Sequence, residues 1–181
     1  MTEPDHEHLD HEHPDHEGDG ESARPPSGDT PATRAIAALG IAHRVVRTRP
    51  AHSAEESADL QGIEPRSLVR TIVVRRAEDD YVFVLLPAGR RFDWSRLRTD
   101  LDVSRLSLPD AEEARRVTGY ERGAITPFGS ARAWPVLLDR SAADLPVIAI
   151  GGGARGVNLH LAPGDLVAAL DARVVDVSRA E

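Results

Sequence analysis

The sequence predicts an α+β fold with a mixed sheet, and three observations carry that reading. The chain has 181 residues, 40% of them hydrophobic, enough for one buried core and a tail. Candidate helices and strands interleave irregularly, without the strict strand–helix alternation of a doubly wound sheet. Leu68–Arg76 and Tyr81–Leu86 are the clearest strands. Ala77–Asp80 between them reads as a hairpin turn, so at least one pair is antiparallel.

Residues 1–29 stand apart. Asp5-His6-Glu7-His8, Asp10-His11-Glu12-His13 and Asp15-His16-Glu17 repeat with a period of five, and Met1 and Leu9 are the only apolar side chains before Ala23. Such a segment cannot bury enough surface to fold, so it is expected to be a disordered acidic, His-rich tail with Arg24–Gly28 as linker. Its ten acids and single arginine sum to −9, which leaves residues 30–181 at +1 within the total of −8. Its five histidines among carboxylates are competent for weak divalent metal binding. A solvated tail without a dedicated role is the simpler account of them.

From Thr30 the elements follow in order. Thr30 caps a first helix with Pro31 at its first position, Ile36 and Leu39 on its apolar side and Gly40 at its end. Ala42–Thr48 is a strand around Val45 and Val46. Ser53 and Glu56 form a capping box for a helix over Ala54–Gln61, closed by Gly62. After the hairpin, Asp93 caps a short helix over Trp94–Asp100, Val103–Leu108 reads as a strand and Pro109–Val117 as a charged helix. Trp134–Asp139, Pro146–Ile150 and Val157–Leu161 are strands, Pro163–Leu170 a helix and Arg173–Val177 a last strand.

Two glycine-bearing stretches and one cation attract notice. Thr118–Gly129 packs three glycines, one proline, two aromatics and two threonines into twelve residues. A loop of that length without structure of its own is more often functional than a short connector is. Gly151–Gly156 is a glycine-rich turn whose N–H groups suit an anionic oxygen, although a tight hairpin explains it equally. It lacks the Lys-Ser/Thr of a Walker loop, and no helix follows as in a dinucleotide fingerprint. On the first hairpin strand, alternation puts Arg70 on the face of Ile72 and Val74, snorkelling past the strand end or projecting into a pocket.

Composition excludes whole classes of chemistry. There is no cysteine, hence no disulfide, thiolate nucleophile or Cys-ligated metal. All 22 basic residues are arginine, so no amine serves as Schiff base or general base. No Ser-His-Asp arrangement or HExxH motif occurs, and outside the tail the histidines are His43, His52 and His160. With no apolar run near eighteen residues, neither a membrane span nor a signal peptide is expected, and a cytoplasmic setting is the default.

Leu68-Val69-Arg70-Thr71-Ile72-Val73-Val74, then Thr118-Gly119-Tyr120 through Gly123 to Thr126-Pro127-Phe128-Gly129, then Gly151–Gly156 followed by Leu161-Ala162-Pro163-Gly164-Asp165-Leu166, come in a telling order and spacing. Together they resemble the YbaK / prolyl-tRNA-synthetase editing-domain family of aminoacyl-tRNA deacylases, over roughly residues 30–178. The resemblance implies a curved mixed β-sheet with helices packed around it. It also implies hydrolysis of the ester of mischarged tRNA, commonly proline tRNA carrying a small wrong amino acid. Free-standing members act in trans. The implied partner is the aminoacylated 3′ end of tRNA, with a synthetase or an elongation factor as protein partner. No membrane, cofactor or catalytic metal is implied.

The resemblance also assigns a site. Arg70 would position the tRNA end or polarise the ester carbonyl, and main-chain N–H groups of Gly123, Ala124 and Ile125, or those of Gly151–Gly153, would hold the oxyanion. Thr48, Thr126, Pro127, Phe128, Gly151, Gly152 and Gly153 would contact substrate. Water, or a substrate group such as the terminal ribose hydroxyl, would supply the chemistry. Two departures matter. The family usually has lysine where this chain has Arg70, and YbaK-type members can carry tyrosine at about the position of Thr48. A non-catalytic module for tRNA ends or amino-acid-like ligands, and a metal-buffering protein acting through the tail, are the competing readings. Arg44, Arg47, Arg66, Arg75, Arg76, Arg90, Arg91, Arg115 and Arg116 are candidates for phosphate contacts.

Overall fold

A computed structural model describes residues 28–181. The tail reading falls on residues 1–27 for the most part, outside the described residues. The element order is α1 (Pro31–Ala38), β1 (His43–Arg47), α2 (Ala54–Gln61), β2 (Val69–Ala77), β3 (Asp80–Pro87), β4 (Arg90–Phe92) and α3 (Trp94–Leu101). Then follow α4 (Ala111–Thr118), β5 (Val136–Asp139), α5 (Arg140–Ala143), β6 (Ile148–Gly151), β7 (Val157–Leu161), α6 (Pro163–Leu170), β8 (Arg173–Val175) and β9 (Ser178–Ala180).

The caps explain the helix boundaries. Thr30 accepts from the Thr33 N–H, Ser53 from Glu56, Asp93 from Ser95 and Arg96, and Asp110 from Glu113. Each satisfies N–H groups that a helix leaves unpaired at its start. In α2 the second half of the box is displaced, since the Glu56 carboxylate accepts from the His52 N–H at 2.7 Å. In α1, Ile36 is fully buried while Leu39 is exposed, so Leu39 does not join the apolar side expected of it.

The strands form an α+β arrangement of open sheets. β2, β3, β5 and β8 make a mixed sheet in that order, antiparallel at β2–β3 and parallel at β3–β5 and β5–β8. β1, β7 and β6 make an antiparallel sheet, and β4 pairs with β9. The mixed-sheet α+β fold expected from the resemblance is thus present as open sheets, the two larger ones joined at the parallel bridge Leu68↔Ala149. Both faces of the mixed sheet are covered. Val69, Val73, Phe83, Leu85 and Leu138 pack toward α1, α4, α5, α6 and the β6–β7 hairpin. Val74, Val82, Val84, Leu86 and Leu137 pack toward α3, β4 and the Val175–Val177 strand end. Double burial is why β3 reads as an unbroken apolar run in the sequence.

Two expectations fail here. Val103–Leu108 is not a strand: only Ser107 pairs, bridging Arg75. The segment leaves α3 through Asp102 in the left-handed region and reaches Pro109 with Ser104 and Arg105 exposed, so it has no second apolar face to bury. The strand expected over Arg173–Val177 ends at Val175 and is not the last, since the three-residue β9 follows it and turns back onto β4. Both β4 and β9 are too short for periodicity to reveal.

Candidate active site

The site begins at the outer edge of β2. Arg75 exchanges both main-chain bonds with Ser107, at 2.8 and 3.1 Å. Backbone polarity alternates along a strand, so Thr71 and Val73 turn their N–H and C=O groups to that same edge, while Arg70 and Ile72 bond to β3. At the other end Leu68 bridges Ala149 of β6. Between the two bridges the edge of β2 has no partner strand among the described residues. A cavity of about 440 Å³ lies along it, inside the usual range of roughly 300–1,000 Å³ for ligand sites.

The cavity is walled by four segments. β2 with the preceding Leu68 contributes Leu68 to Val73, β6 and β7 contribute Gly151 and Asn158, and α2 contributes Ser57. The fourth wall is Leu108, Pro109 and Ala114 with Arg122, Gly123 and Ile125 of the Thr118–Gly129 loop. Among the described residues the lining is mostly apolar and contains no carboxylate and no histidine. The hydroxyl of Thr71, on the side of β2 shared with Val69 and Val73, is buried with no hydrogen-bond partner among the described residues.

The loop holds its shape through its own polar groups. Tyr120 is buried and its hydroxyl donates to the Phe128 carbonyl at 2.8 Å. Burial pushes this phenol up to about 12, so it remains a neutral donor. Thr118 donates to Ala114 O at 2.7 Å and accepts from the Tyr120 N–H at 3.1 Å. Phe128, 1% exposed, and Thr126, fully buried, anchor the far half of the loop in the core. Gly151 is needed because a Cβ there would sit 2.8 Å from the Ile125 carbonyl oxygen. Gly153, at φ +88°, lies so close to Tyr120 that a Cβ would be 2.9 Å from its ring.

These contacts sort the main-chain donors. The Ala124 N–H is spent on Glu121 O, that of Gly152 on Val157 O, and that of Gly153 on Ala124 O. Gly123 and Ile125 donate to no group among the described residues. Strand alternation from the Gly152–Val157 bond also turns the Gly151 N–H away from β7, toward the β2 side.

The profile of the aminoacyl-tRNA editing domain matches residues 48–169. The chain belongs to that family. Its chemistry is hydrolysis of the ester between an amino acid and tRNA. Among relatives, the EbsC protein of Enterococcus faecalis, named as a candidate Cys-tRNA(Pro)/Cys-tRNA(Cys) deacylase, is 24% identical over 129 residues, covering 71% of this chain and 79% of EbsC. The proline–tRNA ligase of Caldicellulosiruptor saccharolyticus is 31% identical over 84 residues, 46% of this chain but only 14% of the ligase. A crystal structure titled as a candidate trans-editing enzyme for prolyl tRNA synthetase superposes with a TM-score of 0.76 at 26% identity, covering 84% of this chain and 99% of that one. The hypothetical protein APE2540 superposes with a TM-score of 0.76 at 25% identity, over 83% and 100% of the two chains.

In this editing domain the residues expected at the site divide into three groups. Gly123, Ile125 and Gly151 line the cavity, as does Arg70. Ala124, Thr126, Pro127 and Phe128 are buried behind the wall, and Gly152 and Gly153 form the hairpin that supports it. Thr48 is buried at the end of β1, where its N–H bonds Gly156 O at 2.9 Å, and does not line the cavity. The Arg70 guanidinium turns from the loop to the opposite face of the sheet. There it donates to Arg90 O at 2.5 Å and lies 3.7 Å from the Glu181 carboxylate. Alternation is the reason, because Arg70 shares its face with Ile72 and Val74 and the loop packs on the face of Val69 and Val73. Sequence reading missed Ser57, Thr71, Arg122 and Asn158. Thr71 was one step of alternation from Arg70. No sequence signal marks the other three.

Proposed function

We propose that residues 30–181 form a free-standing deacylase that acts in trans on proline tRNA carrying a small wrong amino acid. The observation that carries this reading is the composition of the cavity. A mostly apolar slot with unpaired main-chain donors on its rim, and with no side-chain acid or base in its lining, suits an already activated acyl ester. Such a substrate needs water to be positioned and the oxyanion to be held, more than it needs a nucleophile.

On this reading the aminoacyl group enters the slot beneath Val69, Val73 and Ile125, and its carbonyl oxygen meets the N–H groups of Gly123 and Ile125. Water adds to the carbonyl carbon, the oxyanion collapses, the bond to the ribose oxygen breaks, and that oxygen takes up the proton. The terminal ribose hydroxyl is the nearest base the substrate brings with it. Arg70, released from Arg90 O and Glu181, would swing to the rim and hold a phosphate or carbonyl oxygen in place of the family lysine. Discrimination would come from slot volume, worth only ~1–3 kcal/mol per methylene. The test is a panel of proline tRNAs charged with Ala, Ser, Thr, Cys and Pro. Release of a small wrong amino acid with Pro-tRNA spared is expected. Loss of no ester, or equal loss of all, would reject this substrate assignment.

A further inference from the structure

A chain of hydrogen bonds runs from the back of the β1–β7–β6 sheet to the cavity, and its polarity is fixed at one end. Arg44 approaches His160 Nδ1 at 3.1 Å, His160 Nε2 approaches Gln61 Oε1 at 2.8 Å, and Gln61 Nε2 donates to Ser57 Oγ at 3.0 Å. His160 and Gln61 are only 5% and 6% exposed, and Ser57 lines the cavity.

A guanidinium has donors and no acceptor, so each later link follows from the first. His160 Nδ1 must accept from Arg44, which leaves the proton of the neutral ring on Nε2. That N–H donates to Gln61 and therefore meets its carbonyl oxygen. The Gln61 amide then presents N–H to Ser57, whose oxygen accepts. The only proton of the Ser57 hydroxyl is left over, and it finds no acceptor among the described residues. We propose that Ser57 is a substrate-contacting residue whose hydroxyl is obliged to donate into the cavity, to an acceptor oxygen at the aminoacylated end of the ligand. Arg44, His160 and Gln61 are positioning residues that impose this direction.

The proposal rests on the aminoacyl reading of the cavity, and its test separates the two. Two quantities are measured. One is kcat/KM for the best mischarged tRNA, and the other is the Kd of an amide-linked 3′-aminoacylamino-adenosine, which cannot be hydrolysed. Loss of one neutral hydrogen bond predicts that Ser57→Ala weakens both about tenfold, with Ser57→Thr restoring them. Gln61→Glu is the discriminating variant. A carboxylate at that position accepts from His160 and from Ser57 alike, turning the hydroxyl proton away from the cavity. It should reproduce the Ser57→Ala loss while thermal unfolding remains cooperative.

Wild-type values for Ser57→Ala in both assays would overturn the contact. Wild-type values for Gln61→Glu beside a defective Ser57→Ala would overturn the imposed direction. A wild type that binds the analogue but cleaves no ester would overturn the deacylase reading, and the Kd ratios would still decide Ser57. A wild type that binds no analogue would overturn both.

Discussion

Arg70 is the cation whose placement bears most on the proposed chemistry. The guanidinium is already engaged with Arg90 O and Glu181, and both bonds must be released before it can reach the rim. Exposed pairs of this kind are weak, so the swing is energetically open. If Arg70 acts by charge at the rim, Arg70→Ala should lower kcat/KM at least tenfold, and Arg70→Lys should retain or exceed wild-type rate. Single-turnover deacylation measures both, and an unchanged Arg70→Ala would remove Arg70 from the site. His160 permits a second experiment at the same scale. Burial, and then the Arg44 charge, lower its pKa below the ordinary value. The unfolded chain therefore takes up a proton near pH 6.5 before the folded one does. The stability this group contributes is complete above that pH and falls as pH drops toward the folded-state value, by up to about 1.4 kcal/mol per unit. Urea unfolding between pH 7.5 and 5.5 should show the decline, and His160→Gln should flatten it.

At the scale of elements, the Thr118–Gly129 loop and the β6–β7 hairpin form one unit. Gly151→Ala pushes a methyl group against the Ile125 carbonyl, so the loop must retreat from the slot. The expected cost is about 1–3 kcal/mol of stability, with a larger proportional loss of kcat/KM, checked by thermal unfolding beside kinetics. Phe128→Ala removes the anchor beneath the loop and should cost about 3–5 kcal/mol. These elements differ, for physical reasons, in how far local sequence specifies them. Capped helices such as α2 and α4 and the β2–β3 hairpin were legible because local groups specify them. The loop was legible as a site through its breakers and its family likeness. Whether Arg70 or Thr71 faced that loop depended on which side of β2 packs against α4. That is a tertiary choice, and alternation alone leaves it open. Ser57 and Asn158 reach the cavity only because β6 and β2 part beyond Leu68↔Ala149, a separation without any local mark.

At the scale of the whole molecule the question is how a chain of net charge −8 meets a polyanion. Many of the candidate phosphate ligands are occupied. Arg47, Arg66, Arg75, Arg76, Arg90 and Arg116 pair with Asp29, Glu64, Glu113, Asp80, Asp139 and Asp79 respectively. Arg91 and Arg115 form no ion pair among the described residues. The −9 carried by residues 1–29 then weighs heavily against tRNA. Deleting them should tighten binding at low salt, with the difference fading as the screening length shrinks to ~10 Å near 0.1 M. Equal affinities of the two proteins in a low-salt titration would count against any electrostatic role for these residues. Among the described residues no group of three or more histidines and carboxylates could hold a metal ion. The five tail histidines lie outside that region. No helix among the described residues is long and apolar enough to cross a membrane.

The pairing of β1 with β7 also sets a timetable. Synthesis delivers His43–Arg47 early, but the strand that completes their ladder is Val157–Leu161, and β6 waits for the same partner. Non-local pairings of this kind slow folding, because the connecting chain must close before any contact rewards it. Until Val157–Leu161 is made, β1 lacks the strand it pairs with, and the slot lacks its Asn158 wall. A nascent chain therefore completes the slot late. Polypeptides halted before residue 161 should carry no deacylase activity, however well the β2–β3 hairpin has formed.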